Sequence, residues 1–212
     1  RQNDLENLLT IWAHQIKTPL SSISLISERE ENYDIKRELI RIDDYIASIL
    51  SFIKLGQDSL DYSFKSFSIE NLIKDIVKRY RSFFIHKNLK LILDIEDENI
   101  VSDPKWLGFA IEQVLFNSIK YTDKGFIKIF YHDYILKIED SGIGIKKEDL
   151  KNINKFGFSG DTYKRDANST GIGLFLVNDI LKKLGYAYKI DSKEKNGTIF
   201  SLNLKKSEII EN

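Results

Sequence analysis

The stretch DSGIGI, residues 140–145, decides how this chain is predicted to fold. The preceding residues YILKIED (134–140) have an alternating apolar pattern that predicts a strand, so Asp140 is the last residue of that strand. Its carboxylate can accept a hydrogen bond from an exocyclic amine there. Gly142 and Gly144 let the backbone approach a flat base closely. The stretch therefore predicts a tight turn after a strand, with a carboxylate at the end of that strand.

Helical and strand patterns alternate around this stretch. Ser68 can cap a helix that runs to Tyr80, and Asp103 and Pro104 open another through about Tyr121. A third helix is predicted over 171–184, with Gly185 as its C-terminal stop. Strands are predicted at LKLILDIED (89–97), GFIKIFYH (125–132), YILKIED (134–140), YAYKID (186–191) and TIFSLNL (198–204). We expect an α+β sandwich over about residues 64–206, with helices on one face of a mixed sheet.

The N-terminal segment has a different period. Apolar residues recur at alternating spacings of four and three from Leu5 to Ile26, apart from Pro19, and again from Ile35 to Ile53. Two such helices joined by a polar loop predict a helical hairpin over residues 1–57. Two hairpins paired in a homodimer would close a four-helix bundle. A monomeric hairpin packed on the rest of the chain is the alternative.

Composition limits the remaining classes of function. Among 212 residues, 32 are Lys or Arg and 32 are Asp or Glu, so charge gives no argument for a nucleic-acid partner and none is predicted. The absence of cysteine excludes disulfides, thiolate metal sites and a cysteine nucleophile. No apolar run reaches the roughly 18 residues of a transmembrane helix. The chain has no methionine and begins within an apolar repeat, so we expect a fragment of a longer protein.

His14 occupies an unusual place in the first heptad helix. With Leu9 and Ile16 at position a, His14 falls at the outermost position f, and Thr18 lies one turn on along the same face. Pro19 cannot donate to the carbonyl of Gln15, so we expect the helix to bend beside the histidine. An exposed imidazole is a competent nucleophile at neutral pH, whereas a solvated surface histidine is the ordinary alternative.

The residues around His14 and five further motifs weigh against an ordinary solvated histidine. HQIKTPL (14–20) resembles the H-box of sensor histidine kinases, and the five other motifs of that family follow in order. These are EQVLFNSIKYT (112–122) for the N-box, DSGIGI (140–145) for G1, FGFSG (156–160) for the F-box, STGIGLFLV (169–177) for G2 and NGT (196–198) for the turn before the last strand. The details are most similar to the short membrane kinases that work beside peptide-antibiotic transporters.

The resemblance implies the fold, the cofactors and the site. The fold would be a dimerisation hairpin followed by an ATP-binding domain of the histidine-kinase, Hsp90 and gyrase ATPase type. ATP and Mg²⁺ would be the cofactors, with Asp140 on the adenine amine, Asn117 as the metal ligand, and Lys164 and Arg165 near the γ-phosphate. The implied nucleotide-binding residues are Gln113, Asn117, Lys120, Tyr121, Asp140, Gly142, Gly144, Phe158, Gly171, Gly173, Leu174 and Thr198.

Three positions depart from the commoner family pattern. Gln15 stands where Glu or Asp is usual, and its amide can orient the imidazole but cannot take up a proton. General-base assistance typically contributes about 10²–10⁴-fold, so part of that factor is at risk. Gln113 replaces a frequent Asn and gives no carboxylate to activate water, which favours phosphoryl transfer over ATP hydrolysis. Ser169 replaces a glycine of G2, so the phosphate loop is expected to be stiffer.

The sequence therefore predicts the cytoplasmic catalytic core of a membrane-anchored sensor histidine kinase. The core would phosphorylate itself on His14, with Gln15 and Thr18 beside it, and pass the phosphoryl group to a response-regulator receiver domain. Thr18 also matches the residue that positions water for dephosphorylating that partner. A transporter would be a further partner through segments before Arg1. Two alternatives stay open: a kinase-deficient dimeric scaffold or phosphatase, favoured by Gln15, and an ATP-hydrolysing clamp, disfavoured by Gln113.

Overall fold

A computed structural model describes residues 2–30, 32–55, 62–158 and 171–205 of the chain. The chain divides into two compact units, Arg1–Asp61 and Tyr62–Asn212. Among the described residues, no helix is both long enough and apolar enough to cross a membrane.

The first unit is the predicted helical hairpin, made of α1 (Gln2–Arg29) and α2 (Tyr33–Leu55). The helices are joined by a tight connection in which the Asn32 carbonyl accepts a 2.7 Å hydrogen bond from Ser27 Oγ, while the Asn32 N–H donates to the Ser27 carbonyl at 2.9 Å. Helix α1 runs through Pro19 without interruption. The bend expected at that residue stays a prediction.

The hairpin buries only part of its apolar surface. Leu39, Ile46 and Ile53 of α2 recur at steps of seven and are buried. The other half of the predicted seam remains open: these side chains are each 40% or more exposed, namely Trp12, Ile16, Ile23, Ile26, Ile35, Ile42 and Ile49. Two helices meet along one line only, so a second apolar stripe needs a second pair of helices to cover it.

The second unit is an α+β sandwich, as predicted. Its elements are β1 (Lys65–Ser68), α3 (Ile69–Arg79), α4 (Arg81–Lys87), β2 (Lys90–Ile95), β3 (Asn99–Ser102), α5 (Pro104–Lys120), β4 (Phe126–His132), β5 (Ile135–Asp140), α6 (Gly173–Leu184), β6 (Ala187–Ser192) and β7 (Thr198–Asn203). Five strands form one sheet in the order β2-β4-β5-β7-β6. Strands β2 and β4 are parallel and the other pairs antiparallel, so the sheet is mixed.

Alternation along the strands puts the core on one face of this sheet. In β4, Ile127, Ile129 and Tyr131 are fully buried, whereas the residues between them are half-buried. Helices α5 and α6 pack against each other and present buried apolar residues such as Leu115 and Leu176. The C-terminal end of β5 and the N-terminal end of α6 contribute residues to the candidate site.

Most local signals in the sequence are confirmed at these boundaries. Asp103 caps α5 by accepting from the N–H groups of Lys105 and Trp106 at 2.9 and 3.0 Å. Gly185 ends α6 with φ of 78°. Helix α6 begins at Gly173 and not at the predicted 171, because Gly171 has φ of +66°, outside the right-handed helical region.

Three short elements were not predicted. Helix α4 has seven residues and follows α3 directly, so it merged with the preceding pattern. Strands β1 and β3 have four residues each and pair only with each other, which leaves little alternation to detect.

Candidate functional site

Asp140, the last residue of β5, is the buried polar centre of the candidate site. Its Oδ1 atom accepts from the N–H of Gly142 at 2.9 Å and from the N–H of Thr198 at 3.2 Å. Burial raises the pKa of the Asp140 carboxyl, against the opposing effect of hydrogen bonds from Gly142, Ser118 and Thr198. Because Oδ1 holds two backbone groups, the carboxylate is fixed in orientation and can present its other oxygen to a ligand.

Two glycines after Asp140 are needed for close packing. A Cβ on Gly142 would lie 2.4 Å from the Tyr121 carbonyl oxygen and 2.9 Å from Asp140 Oδ1. Gly144 has φ of +66°, and a Cβ there would lie 2.0 Å from the Lys193 carbonyl oxygen. Any larger residue at either position would force the loop away from its neighbours.

The loop is also tied to the end of α5. The N–H of Ile143 donates to the Tyr121 carbonyl at 3.1 Å. Thr122, which follows Tyr121 in the chain, is fully buried, and its Oγ1 has no hydrogen-bond partner within the described part of the chain. A buried hydroxyl without a partner is costly, so a ligand or water that supplies one would bind here favourably.

The middle of α5 meets the start of α6. A Cβ on Gly173 would lie 2.8 Å from Gln113 Oε1 and 3.9 Å from Asn117 Nδ2, so both amides flank the first residue of α6. The N-cap residue Ile172 makes no side-chain capping bond in the described structure. The first N–H groups of a helix lack intrahelical partners and carry partial positive charge, which favours an anion.

The chain on either side of residues 159–170 is held together by its backbone. The N–H of Gly157 donates to the Gly171 carbonyl at 3.2 Å, and a Cβ on Gly171 would lie 2.7 Å from the Phe158 nitrogen. Phe158 is half-buried and Leu174 lies half-buried in the first turn of α6. Of the sequence-predicted positions, Lys164, Arg165 and Ser169 lie outside the described residues.

The remaining predicted nucleotide residues line the same region. Lys120 and Tyr121 are half-buried at the end of α5, with the Lys120 ammonium 5.3 Å from the centre of the Tyr121 ring. Thr198 opens β7, and its Oγ1 lies 2.9 Å from Ser192 Oγ. The structure thus brings the second half of α5, the 140–145 loop, the start of α6 and the start of β7 around Asp140 and Gly173.

Two serines of this site were missed by sequence reasoning. Ser118 donates to the Asp140 carboxylate. Ser192 Oγ accepts from the N–H of Ile145 at 2.8 Å and lies 2.8 Å from the Gly197 carbonyl oxygen. Ser118 is a buried polar residue within an apolar helical stretch, which is a usable signal, whereas nothing in the sequence singled out Ser192.

No set of three His, Asp or Glu side chains in the described residues is arranged to hold a metal ion. A divalent cation at this site would therefore rely on the phosphate oxygens of a nucleotide together with an amide oxygen such as that of Asn117. The buried Asp140 carboxylate, the unpartnered Thr122 hydroxyl and the start of α6 together fit an adenine nucleotide.

The hairpin carries the predicted phosphorylation residues. His14 lies in α1, one turn before Thr18, but its side chain falls outside the part of the chain that the structure describes. Gln15 and Thr18 are exposed. Between them, Lys17 pairs with Asp43 of α2 at 3.9 Å, which marks where the second helix runs alongside this turn.

Comparison with known proteins identifies relatives over nearly the whole chain. Residues 102–208 match the family described as histidine kinase-, DNA gyrase B-, and HSP90-like ATPase. Sensor histidine kinase YxdK of Bacillus subtilis is 33% identical over 88% of this chain and 61% of its own length. Sensor histidine kinase GraS of Staphylococcus epidermidis is 33% identical over 97% of this chain and 62% of its own length. The chain thus spans about three fifths of these relatives.

The fold has a counterpart among solved structures. A crystal structure of full-length ShkA in complex with AMPPNP covers 95% of this chain and 47% of its own, with a TM-score of 0.65 and 17% identity. At that identity the likeness concerns the fold alone. The predicted resemblance and the predicted fold class are both confirmed.

Proposed function

The chain belongs to the histidine kinase-, DNA gyrase B- and HSP90-like ATPase family. From this premise we propose that it is the catalytic core of a sensor histidine kinase and transfers the γ-phosphoryl group of ATP to His14. The observation that carries the proposal is the meeting of four separate chain segments around Asp140 and Gly173. Each segment contains one of the motifs in which the resemblance was found.

The adenine end of ATP would bind at Asp140. Its fixed carboxylate accepts a hydrogen bond from the exocyclic amine, and the tight loop at Gly142 and Gly144 faces the base. The buried Thr122 hydroxyl, which has no hydrogen-bond partner among the described residues, would gain one from the nucleotide. The complex of ShkA with the ATP analogue AMPPNP supports this choice of ligand for the fold.

The phosphate end would lie between α5 and α6. The N–H groups at the start of α6 bind phosphate oxygens, and Lys120 balances their charge. A Mg²⁺ ion held by Asn117 and the phosphates would supply charge neutralisation for phosphoryl transfer. Gln113 is buried beside Gly173 and is an amide, so it cannot deprotonate water; hydrolysis of ATP is disfavoured.

At His14, the lone pair of Nε2 attacks the γ-phosphorus as the bond from phosphorus to the ADP oxygen breaks. In the proposed reaction, the Gln15 amide oxygen would accept a hydrogen bond from Nδ1–H, which would leave Nε2 free to attack. Because an amide takes up no proton, the Nδ1 proton passes to solvent. Orientation of the ring by Gln15 is retained, and general-base assistance is lost.

The exposed apolar stripe of the hairpin supports a homodimer. Ile35, Ile42 and Ile49 recur at steps of seven on α2 and are exposed, and a second hairpin would cover them. The bundle would then present His14 and Thr18 to the receiver domain of a response regulator. We further propose that the core belongs to the cytoplasmic side of a membrane-anchored protein, with a transporter as a partner through segments before Arg1.

Phosphate mapping after incubation with Mg-ATP tests the proposed reaction. We expect one phosphoryl group per chain that is lost in acid and stable in base, as a phosphohistidine is. Steady turnover of ATP without any phosphoprotein would instead support an ATP-hydrolysing clamp.

The exposed amide at Gln15 favours a second candidate, a kinase-deficient dimeric scaffold or phosphatase. Comparing the autophosphorylation rates of wild type and Gln15→Glu separates the two. The kinase assignment predicts measurable labelling of wild type and faster labelling of the variant. Labelling only in Gln15→Glu would support the scaffold.

A further inference from the structure

Lys87, at the end of α4, places its ammonium against the C-terminal end of α5. Its Nζ donates to the carbonyl oxygens of Ile119 at 2.8 Å, Lys120 at 3.0 Å and Thr122 at 3.0 Å. The last carbonyls of a helix have no intrahelical partners and carry partial negative charge. One side chain from α4 therefore satisfies the last two carbonyls of α5 and the carbonyl of Thr122 just beyond the helix.

Lys87 does not bind the Tyr121 carbonyl, and this carbonyl contacts the 140–145 loop instead. Tyr121 lies between Lys120 and Thr122, and its carbonyl accepts from the N–H of Ile143, the residue after Gly142. Four consecutive carbonyls are thus divided, three to the ammonium and one to the 140–145 loop. With both flanking carbonyls held by Lys87, the direction of the Tyr121 carbonyl is fixed.

Gly142 has no room to adjust if that direction changes. A Cβ at Gly142 would already lie 2.4 Å from the Tyr121 carbonyl oxygen, so the loop and the end of α5 are in close contact. Movement of this carbonyl would move the Gly142 backbone, whose N–H is bonded to Asp140. The contacts therefore form a chain from Lys87 to the carboxylate at the centre of the site.

We propose that Lys87 is a positioning residue for nucleotide binding, acting through the end of α5 on the 140–145 loop. This inference rests on the proposed ATP site. Lys87 also lies 3.5 Å from Asp123 Oδ1, but the Asp123 side chain is 90% exposed, and such an ion pair contributes little. The three carbonyl contacts carry the effect.

The test compares ADP and ATP binding by calorimetry for the full 212-residue chain and its Lys87→Met variant, both shown to be folded by circular dichroism. Methionine keeps the apolar stem and removes the donors. We expect the Kd for both nucleotides to rise about tenfold, which corresponds to about 1.4 kcal/mol of binding free energy. The factor should be equal for ADP and ATP, because the loop lies at the adenine end.

Two further variants make the result specific. Lys87→Arg keeps a cation with several donors and should recover most of the affinity. Asp123→Asn removes the ion pair and leaves the carbonyl contacts, so it should bind like wild type. Should Lys87→Met fail to fold, Lys87→Gln, with two amide donors on a shorter stem, should fold and show an intermediate loss.

The outcomes separate this inference from the proposed function. A wild-type chain that binds neither nucleotide would refute the ATP site and the role of Lys87 with it. If wild type binds nucleotide and a folded Lys87→Met or Lys87→Gln variant binds it equally tightly, the role of Lys87 is wrong while the ATP site stands. A lower melting temperature with unchanged Kd would mean that Lys87 only stabilises the fold.

Discussion

Replacing Gly142 with alanine is expected to damage the nucleotide site through sterics alone. The added Cβ would lie 2.4 Å from the Tyr121 carbonyl oxygen, 2.8 Å from Thr122 Oγ1 and 2.9 Å from Asp140 Oδ1. The nearest atom belongs to the backbone and is held by the N–H of Ile143, so it cannot recede freely. Gly142 is not among the glycines with positive φ, so alanine adds no backbone strain of that kind.

The magnitude follows from overpacking in a fixed environment. Inserting a methyl group where neighbours cannot move typically costs about 1–3 kcal/mol, which should appear as a lower free energy of unfolding in urea. Relief of the clash requires the loop to leave Asp140, so we expect ADP affinity to fall by about tenfold or more.

Gly185→Ala is the matched control. No atom lies within 4 Å of a Cβ added at Gly185, so alanine causes no clash there. The penalty comes from backbone strain, because Gly185 has φ of +78°. It should cost about 1–2 kcal/mol of stability and leave ADP binding unchanged. A Gly142→Ala variant that binds ADP as tightly as wild type would refute the steric reasoning.

Three further substitutions test other parts of the structure. Burial raises the pKa of Asp140, so between the ordinary Asp pKa and that raised pKa the folded state binds more protons and its stability falls as pH rises. Asp140→Asn should lack this pH-dependent component in thermal melts from about pH 4 to 7, should melt no lower than wild type at pH 7 and should lose ADP binding. A marked drop in its melting temperature would contradict this expectation. Asp103→Ala removes a helix cap and a 2.8 Å bond from the Ser63 N–H, so urea titration should show a loss of about 1–2 kcal/mol, and no loss would mean that α5 needs no cap. Ile42→Lys places a charge on the exposed hairpin stripe and should convert a dimer to a monomer in light scattering, whereas an unchanged mass would place the interface elsewhere.

Local signals in the sequence were reliable where one residue type has one structural use. Asp103 followed by Pro104 predicted the start of α5, and Gly185 predicted the end of α6. The heptad spacing predicted two helices, but it did not distinguish the stripe buried within the hairpin from the stripe left open. That distinction depends on which line the two helices share, which a repeat of seven does not encode.

Contacts between distant residues could not be predicted in the same way. Lys87 lies 32 positions before its first carbonyl partner, and a lysine near a helix end is most often solvated. Ser192 lies 47 positions from Ile145, whose N–H donates a hydrogen bond to Ser192 Oγ. The motifs located the site because they lie on its backbone, whereas the side chains that hold that backbone in place have no local signature.

Phosphate mapping of wild type beside His14→Ala tests directly whether His14 accepts the phosphoryl group of ATP. Both proteins are incubated with Mg-ATP labelled at the γ-phosphate, and ADP binding is measured in parallel. We expect acid-labile, base-stable phosphate on His14 of wild type, and no label on a His14→Ala variant that still binds ADP normally. Equal labelling of the two proteins would contradict the assignment of His14 as the phosphoryl acceptor.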